Sequence, residues 1–112
     1  MDLTAETHGD STIIRVPDPR IDAAAAIRFK DAMRDLCADA CDRVILDLAL
    51  VDFIDSSGLG AIVASMKQMR DGQSLDLAAL NPNVAKVFRL TRMDTVFTIH
   101  DAADSPGRAN VG

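Results

Sequence analysis

The sequence predicts an α/β protein in which a mixed, mostly parallel sheet carries its helices mainly on one face. Short apolar runs rich in β-branched residues alternate with longer segments whose apolar residues recur every three or four positions. Their order is β-β-α-β-α-β-α-β, which is typical of parallel strands joined by right-handed helical crossovers. The 112 residues contain no repeat or linker, so we expect one domain over residues 1–112 with its core at about 3–100.

Two strands and a long helix are predicted for the first part of the chain. Residues 3–8 and 12–16 are the strands, joined by a turn around Gly9, and the second is β-branched enough for a buried position. Asp22 is a suitable N-cap for a helix that runs to about Cys41. The apolar positions of this helix are Ala26, Phe29, Met33, Leu36 and Ala40.

A buried strand and a second helix follow. Residues 43–48 are apolar over most of their length, as expected of a central parallel strand buried on both faces. The helix begins in the segment 55–58 and ends before Gly72, a candidate left-handed cap. Its predicted apolar stripe is Leu59, Ile62, Val63, Met66 and Met69.

The last third completes the alternation of strands and helices. Residues 75–79 and 96–99 are predicted strands, and Asn81-Pro82 is a typical helix start between them. We expect the tail at 101–112 to fray.

Composition and charge argue against several classes of protein. The chain is 48% hydrophobic and 26% charged, which is ordinary for a globular domain. Its net charge of -5 argues against nucleic acid as a partner, because phosphate binding requires clustered Lys and Arg. With no visible secretory signal and no apolar run of membrane length, we expect no membrane association and a cytoplasmic location. Cys37 and Cys41 are expected to be ordinary thiols.

The loop at 55–60 is the element start richest in small polar residues, yet it matches no common catalytic motif. Ser56 lacks the preceding glycine of a serine-hydrolase turn, and His8 and His100 fall on strands elsewhere. A phosphate-binding glycine-lysine motif is also missing. The neighbouring carboxylates are those of Asp47, Asp52 and Asp55. Such acids more often cap helices or are solvated, so we predict that the chain binds no metal. Because the catalytic motifs are missing as well, we predict that the chain is not an enzyme and needs no cofactor.

The same loop has a simple structural interpretation that leaves its glycines unexplained. Asp55, Ser56 or Ser57 can cap the helix by accepting from a free N–H group. Gly58 and Gly60 each cost the helix about 1 kcal/mol relative to alanine, so we expect close approach of another backbone. A neighbouring row of small residues is either a docking face for a partner or a solvated, alanine-rich face. This row is Gly60, Ala61, Ala64 and Ser65.

A serine hydroxyl at a helix start is also a suitable phosphate acceptor. A phosphoryl group adds about -1.5 to -2 charges at pH 7. The free N–H groups and positive end of the helix can hold that charge without refolding. For a partner docked on the bare hydroxyl, the same group brings bulk and repulsion, to which Asp52 and Asp55 add. The loop is therefore suited to a switch with little structural change.

Three segments resemble the STAS domains of bacterial anti-sigma factor antagonists. The most specific is Val-Ile-Leu-Asp-Leu at 44–48 followed by Asp-Phe-Ile-Asp-Ser-Ser-Gly-Leu-Gly at 52–60. Arg-Ile-Asp at 20–22 resembles the small motif after the second strand. Asn-Pro-Asn-Val at 81–84, continued by Phe-Arg-Leu-Thr at 88–91, is similar to the closing third. The resemblance covers about residues 3–100.

This resemblance implies a protein that binds a GHKL-type serine kinase, which doubles as an anti-sigma factor, and so releases a sigma factor. The kinase uses ATP and magnesium to phosphorylate the first serine of the motif, here Ser56, and a PP2C-type phosphatase restores the binding form. Asp22 would lie near that serine. The partner surface that we expect comprises Asp22, Asp55, Ser57, Gly58, Leu59, Gly60 and Ala61.

Some positions depart from the family pattern. Pro19 and Arg92 stand where the family often has glycine, and the first could reshape the loop beside Ser56. The family's closing helix looks short or missing, with Pro106 and Gly107 in its place.

An alternative role is a permanently docked STAS subunit of a larger assembly, such as a lipid or anion transporter, in which Ser56 only caps a helix. We expect the chain alone to be a monomer.

Overall fold

The computed structural model describes residues 1–103, and the predicted fold class is confirmed. In chain order the elements are β1 (Thr4–His8), β2 (Ser11–Arg15), β3 (Arg20–Ile21), α1 (Ala23–Ala38), β4 (Arg43–Asp47), β5 (Phe53–Ile54), α2 (Ser56–Lys67), β6 (Ser74–Ala78), α3 (Pro82–Leu90) and β7 (Ile99–His100). A short 3-10 helix at Met93–Thr95 lies between α3 and β7. The main sheet has the order β1-β2-β4-β6-β7, antiparallel between β1 and β2 and parallel elsewhere.

One face of the main sheet carries the helices and the larger core. Ile14, Leu46 and Leu77 from three adjacent strands are fully buried there with Phe29 of α1 and Phe88 of α3. Because side chains alternate along a strand, the intervening residues face the other side. Three of these strand residues, Ile13, Ile45 and Ala78, form a smaller buried cluster with Ala103.

Ala103 corrects part of the prediction for the C-terminal tail. Its side chain is buried with Ile13, Ile45 and Ala78, so the third residue of the segment expected to fray, 101–112, is packed against the sheet. The remainder, including Pro106 and Gly107, lies outside the described residues.

The last predicted strand, at 96–99, is wrong over most of its length. Val96 ends the 3-10 helix, and the strand is only Ile99–His100. Phe97 is buried with its ring 6.0 Å from that of Phe88, whereas Val96 and Thr98 are exposed. This alternation of exposed and buried residues resembles that of a strand, although pairing with β6 begins only at Thr98, whose carbonyl oxygen accepts from the N–H of Leu77 at 2.9 Å.

A second, two-stranded sheet was missed by the sequence patterns. β3 and β5 are parallel, with Arg20 opposite Phe53 and Ile21 opposite Ile54. Strands of two residues are too short to show a period of two, so hydrophobic alternation could not reveal them. This small sheet leads directly into the first turns of α1 and α2 and therefore places the loop at 55–60.

Candidate functional site: the first turn of the second helix

The loop that leads into α2 is fixed from two sides. The side-chain amide of Asn81 donates to the carbonyl oxygen of Val51 at 2.7 Å and to the Asp52 carboxylate at 3.3 Å. From the other side, the backbone N–H of Asp52 donates to the carbonyl oxygen of Pro19 at 2.7 Å. Asn81 stands at the N-cap position of α3 but makes no side-chain cap bond. Pro19 contributes only a carbonyl, which any residue supplies.

Asp55 joins the first turns of two helices. Its Oδ1 atom accepts from the backbone N–H of Gly58 at 2.8 Å and so caps α2. Its Oδ2 atom accepts from the backbone N–H of Ala23 at 3.1 Å, in the first turn of α1. Asp22 caps α1 as predicted, because its Oδ1 atom accepts from the N–H of Ala25 at 3.2 Å. Asp22 and Asp55 therefore both bind N–H groups at the helix starts, and Asp55 links the start of α2 to that of α1.

Replacing Asp55 by alanine is expected to lower the free energy of unfolding by about 2 kcal/mol, since both N–H groups lose their acceptor. Asp55→Asn keeps one carbonyl oxygen and is expected to lose about 1 kcal/mol. Urea denaturation of the two variants measures both values. Equal losses for the two variants would contradict a carboxylate that serves both helices at once.

Ser56 and Ser57 are exposed at the first two positions of α2. Neither hydroxyl makes a hydrogen bond within the part of the chain that the structure describes. The cap of α2 is the carboxylate of Asp55, so the interpretation of Ser56 as a helix cap is wrong. The Ser56 hydroxyl therefore does not cap α2 and is exposed to solvent.

Gly58 is required by a close approach within the chain itself. A Cβ atom at this position would overlap the carbonyl oxygen of Ile21 and lie 2.8 Å from its carbonyl carbon. The expected approach of another backbone is thus confirmed for Gly58, and the backbone is that of β3. At Gly60, by contrast, a Cβ atom would have nothing within 4 Å, so the expectation fails there.

The small-residue row on α2 is not one continuous exposed face. Ala61 and Ser65 are buried, while Gly60 is exposed and Ala64 half-buried. Gly58 and Ala61, both predicted to lie at the partner surface, are therefore buried in the domain itself, and partner contact at these two residues stays a prediction. The buried face of α2 includes two residues of the small-residue row. The residues buried on this face are Gly58, Ala61, Ile62 and Ser65.

An open apolar groove runs along the outer side of α2 and begins at Ser56. It has a volume of about 380 Å³ and is bordered on its far side by Thr91 and Met93. The α2 residues that line it are Ser56, Leu59, Gly60, Val63, Ala64 and Lys67. Sequence analysis identified Leu59 and Gly60 as partner-facing and placed Val63 on the apolar stripe; Val63 is half-buried against the core and also lines this groove. We call this surface the α2 groove.

Potential catalytic groups lie apart from Ser56. His100 is fully buried, with Nε2 2.9 Å from Oδ2 of Asp76, and Arg43 lies 3.4 Å from the same oxygen. His8 is exposed on β1 beside Glu6. Within residues 1–103, no cluster of three or more His, Cys, Asp or Glu could hold a metal ion.

The two cysteines are free thiols. Burial raises the pKa of the Cys37 thiol, although the positive charge of Arg70 acts in the opposite direction. A raised pKa keeps the thiol protonated and unreactive at neutral pH. Among the described helices, none is long and apolar enough to cross a membrane.

A model of the STAS domain matches residues 2–105 of the chain. The chain belongs to the STAS domain family. Two relatives of this STAS domain are BtrV of Bordetella bronchiseptica, a candidate anti-sigma factor antagonist, and the anti-sigma-B factor antagonist of Listeria monocytogenes. The first is 34% identical over 68 residues, which are 60% of this chain and 59% of that protein. The second is 31% identical over 80 residues, which are 70% of each chain.

Solved structures share the fold of this STAS domain at low identity. An anti-sigma factor antagonist from Mycobacterium paratuberculosis superposes with a TM-score of 0.83 and 22% identity, over 99% of this chain and 94% of that one. A sulfate transporter family protein from Wolinella succinogenes gives a TM-score of 0.75 and 16% identity, over 95% and 89%. The fold therefore occurs in both kinds of protein, and function has to be argued from the site.

Proposed function

We propose that this STAS domain is an anti-sigma factor antagonist that binds a GHKL-type serine kinase, itself an anti-sigma factor, and so releases a sigma factor. Phosphorylation of Ser56 ends the binding, and a PP2C-type phosphatase restores it. One observation carries the proposal: Asp55 caps α2, which leaves the neighbouring Ser56 hydroxyl exposed and unbonded at the start of an apolar groove. The two relatives, one a candidate antagonist and one an anti-sigma-B factor antagonist, support the antagonist part of this proposal.

The proposed modification needs no catalytic group from this chain. A bond forms between Oγ of Ser56 and the γ-phosphorus of ATP, the bond from that phosphorus to the β–γ bridging oxygen breaks to release ADP, and a base of the kinase takes the hydroxyl proton. Positioning and charge stabilisation for such transfers come from the kinase and its magnesium. The product phosphate lies at the positive end of α2, which stabilises it.

The α2 groove is the proposed docking surface for the kinase. Its lining is apolar between the Ser56 hydroxyl at one end and the charged Lys67 at the other. A phosphoryl group on Ser56 introduces charge at the edge of this apolar contact, beside the carboxylate of Asp55. Like-charge repulsion and desolvation then oppose binding without any change of fold.

A second candidate function is that of a permanently docked subunit of a transporter assembly. The likeness in fold to the Wolinella succinogenes protein favours it, and an apolar groove suits permanent docking as well. This alternative gives no role to an exposed Ser56 hydroxyl, because Asp55 already caps the helix. We therefore favour the switched antagonist.

Substitution of Val63 by aspartate is expected to abolish partner binding while the domain stays folded. Val63 is half-buried in the α2 groove, so a carboxylate there removes apolar contact and adds a charge that the partner must desolvate. The measurement is capture from a lysate of the source organism on wild-type and Val63→Asp baits, with bound proteins identified by mass spectrometry. Circular dichroism checks that the variant is folded.

Thr7→Asp is the matched control, because it adds the same charge at an exposed position of β1, the edge strand. A GHKL-type kinase on the wild-type and Thr7→Asp baits, but not on Val63→Asp, supports the proposal. Recovery of membrane transporter subunits in its place would favour the second candidate. Equal capture of the kinase by all three baits would contradict docking in the α2 groove.

A further inference from the structure

Arg20 has an exposed guanidinium group with few partners. Its side chain is 59% exposed, and its Nε atom lies 3.6 Å from Oδ2 of Asp22, which is longer than a hydrogen bond. The guanidinium carbon lies 4.3 Å from the centroid of the Phe53 ring. Within residues 1–103 it makes no hydrogen bond, so most of its five donors are available.

The small sheet brings Arg20 near Ser56. Arg20 is opposite Phe53 in the β3–β5 pair, and Ser56 follows Phe53 by three residues. A spacing of about 4.8 Å across the strands and about 10 Å along the chain places the two backbones about 11 Å apart, within the combined reach of an extended arginine and a phosphoserine side chain. Asp22 and Asp55 are also in these segments, and each carboxylate accepts from an N–H group at the first turn of α1.

The segments that lead into Ser56 are mostly acidic. They contain Asp22, Asp52 and Asp55, and Arg20 is the one basic residue in β3, β5 and the first turns of α1 and α2, whereas Lys67 lies at the far end of the α2 groove. A phosphate on Ser56 adds about -1.5 to -2 charges to this acidic surface. Helix N–H groups compensate part of that charge, and a neighbouring cation would stabilise the phosphate further.

Building on the phosphorylation proposed above, we propose that Arg20 binds the phosphoryl group of phosphorylated Ser56. In the unmodified protein the guanidinium rests on Phe53 beside Asp22. On phosphorylation it turns to the phosphate, because a planar guanidinium forms two parallel hydrogen bonds with phosphate oxygens that it does not form with its present neighbours. Phe53, already 40% exposed, is uncovered at the same time. Modification thus changes both charge and apolar surface beside the α2 groove.

The test uses the full chain with phosphoserine introduced at position 56 during translation, so no kinase is needed. Phosphorus NMR follows the titration of the phosphate, whose second pKa is ordinarily near 6. A bound guanidinium lowers this pKa, so Arg20→Gln is expected to raise it by about half a unit or more. Arg20→Lys keeps the charge and is expected to fall between the two. Arg34→Gln, which removes an exposed charge in the middle of α1, is the matched control.

A rise with Arg20→Gln and no change with Arg34→Gln supports the contact. An unchanged pKa in Arg20→Gln, or an equal rise in both variants, overturns it. Because this measurement involves neither the kinase nor its partner proteins, its failure leaves the proposed switch at Ser56 standing. Failure of the kinase to modify Ser56 would likewise leave this titration interpretable.

Discussion

Gly58→Ala is expected to lower the free energy of unfolding by about 3 kcal/mol, the upper end of what overpacking costs. The added methyl group overlaps the carbonyl oxygen of Ile21, and backbone cannot move aside as a flexible side chain does. To remove this overlap, α2 and β3 have to move apart. That movement disturbs the hydrogen bonds of the Asp55 carboxylate, which links the first turn of α2 to that of α1. Urea denaturation followed by circular dichroism measures the loss.

Gly60→Ala is the matched control for this experiment. It lies two residues further along α2, where a Cβ atom meets nothing within 4 Å. The substitution is expected to raise the free energy of unfolding by up to about 1 kcal/mol, because alanine favours a helix over glycine. Opposite signs at the two glycines support the packing described here. A destabilisation of equal size at both positions would contradict it.

Ser56→Asp is expected to weaken binding to the kinase by about two orders of magnitude, since like charges and unpaired carboxylates at an interface cost several kcal/mol. Ser56→Ala removes only an exposed hydroxyl and is expected to bind as tightly as the unmodified protein. Calorimetric titration of the captured kinase with each variant measures the affinities.

The fold should be unaffected by either change at Ser56. An acidic residue in the first turn of a helix is favourable, so Ser56→Asp is expected to be as stable as wild type or slightly more stable. Weakened binding by a fully folded Ser56→Asp therefore reports on the interface. If both variants bind like the unmodified protein, Ser56 is not the switch.

The sequence was sufficient for the order of the three helices and the five strands of the main sheet, because the helices are strongly periodic and the central strands are apolar. The central strand and the second helix were predicted. Gly72 is left-handed with φ of 84°, but α2 ends at Lys67 with Gln68 as its C-cap, so the prediction that Gly72 caps this helix is wrong. Glycines in the first turn of α2 signalled a close approach, and Gly58 confirms it. Arg92 shows why glycine is common at its position in the family, since its φ of 63° is left-handed.

What the sequence could not supply depends on contacts between distant segments. Val63 and Ala61 have similar apolar character, yet the packing of α2 buries Ala61 and leaves Val63 in the groove. Asn81-Pro82 was predicted as a helix start and begins α3, but the Asn81 amide donates to Val51 in the loop before β5, 30 positions away in the chain. Periodicity describes one helix or strand at a time and carries no information about such partners.

The central claim is that Ser56 is the residue that a kinase modifies, and phosphate mapping tests it most directly. The captured kinase is incubated with ATP, magnesium and the wild-type, Ser56→Ala or Ser57→Ala protein, and mass spectrometry locates the phosphate. Our account predicts one phosphate on Ser56 in the wild type and in Ser57→Ala, and none in Ser56→Ala. Phosphate on Ser57, or equal incorporation into Ser56→Ala, would contradict it.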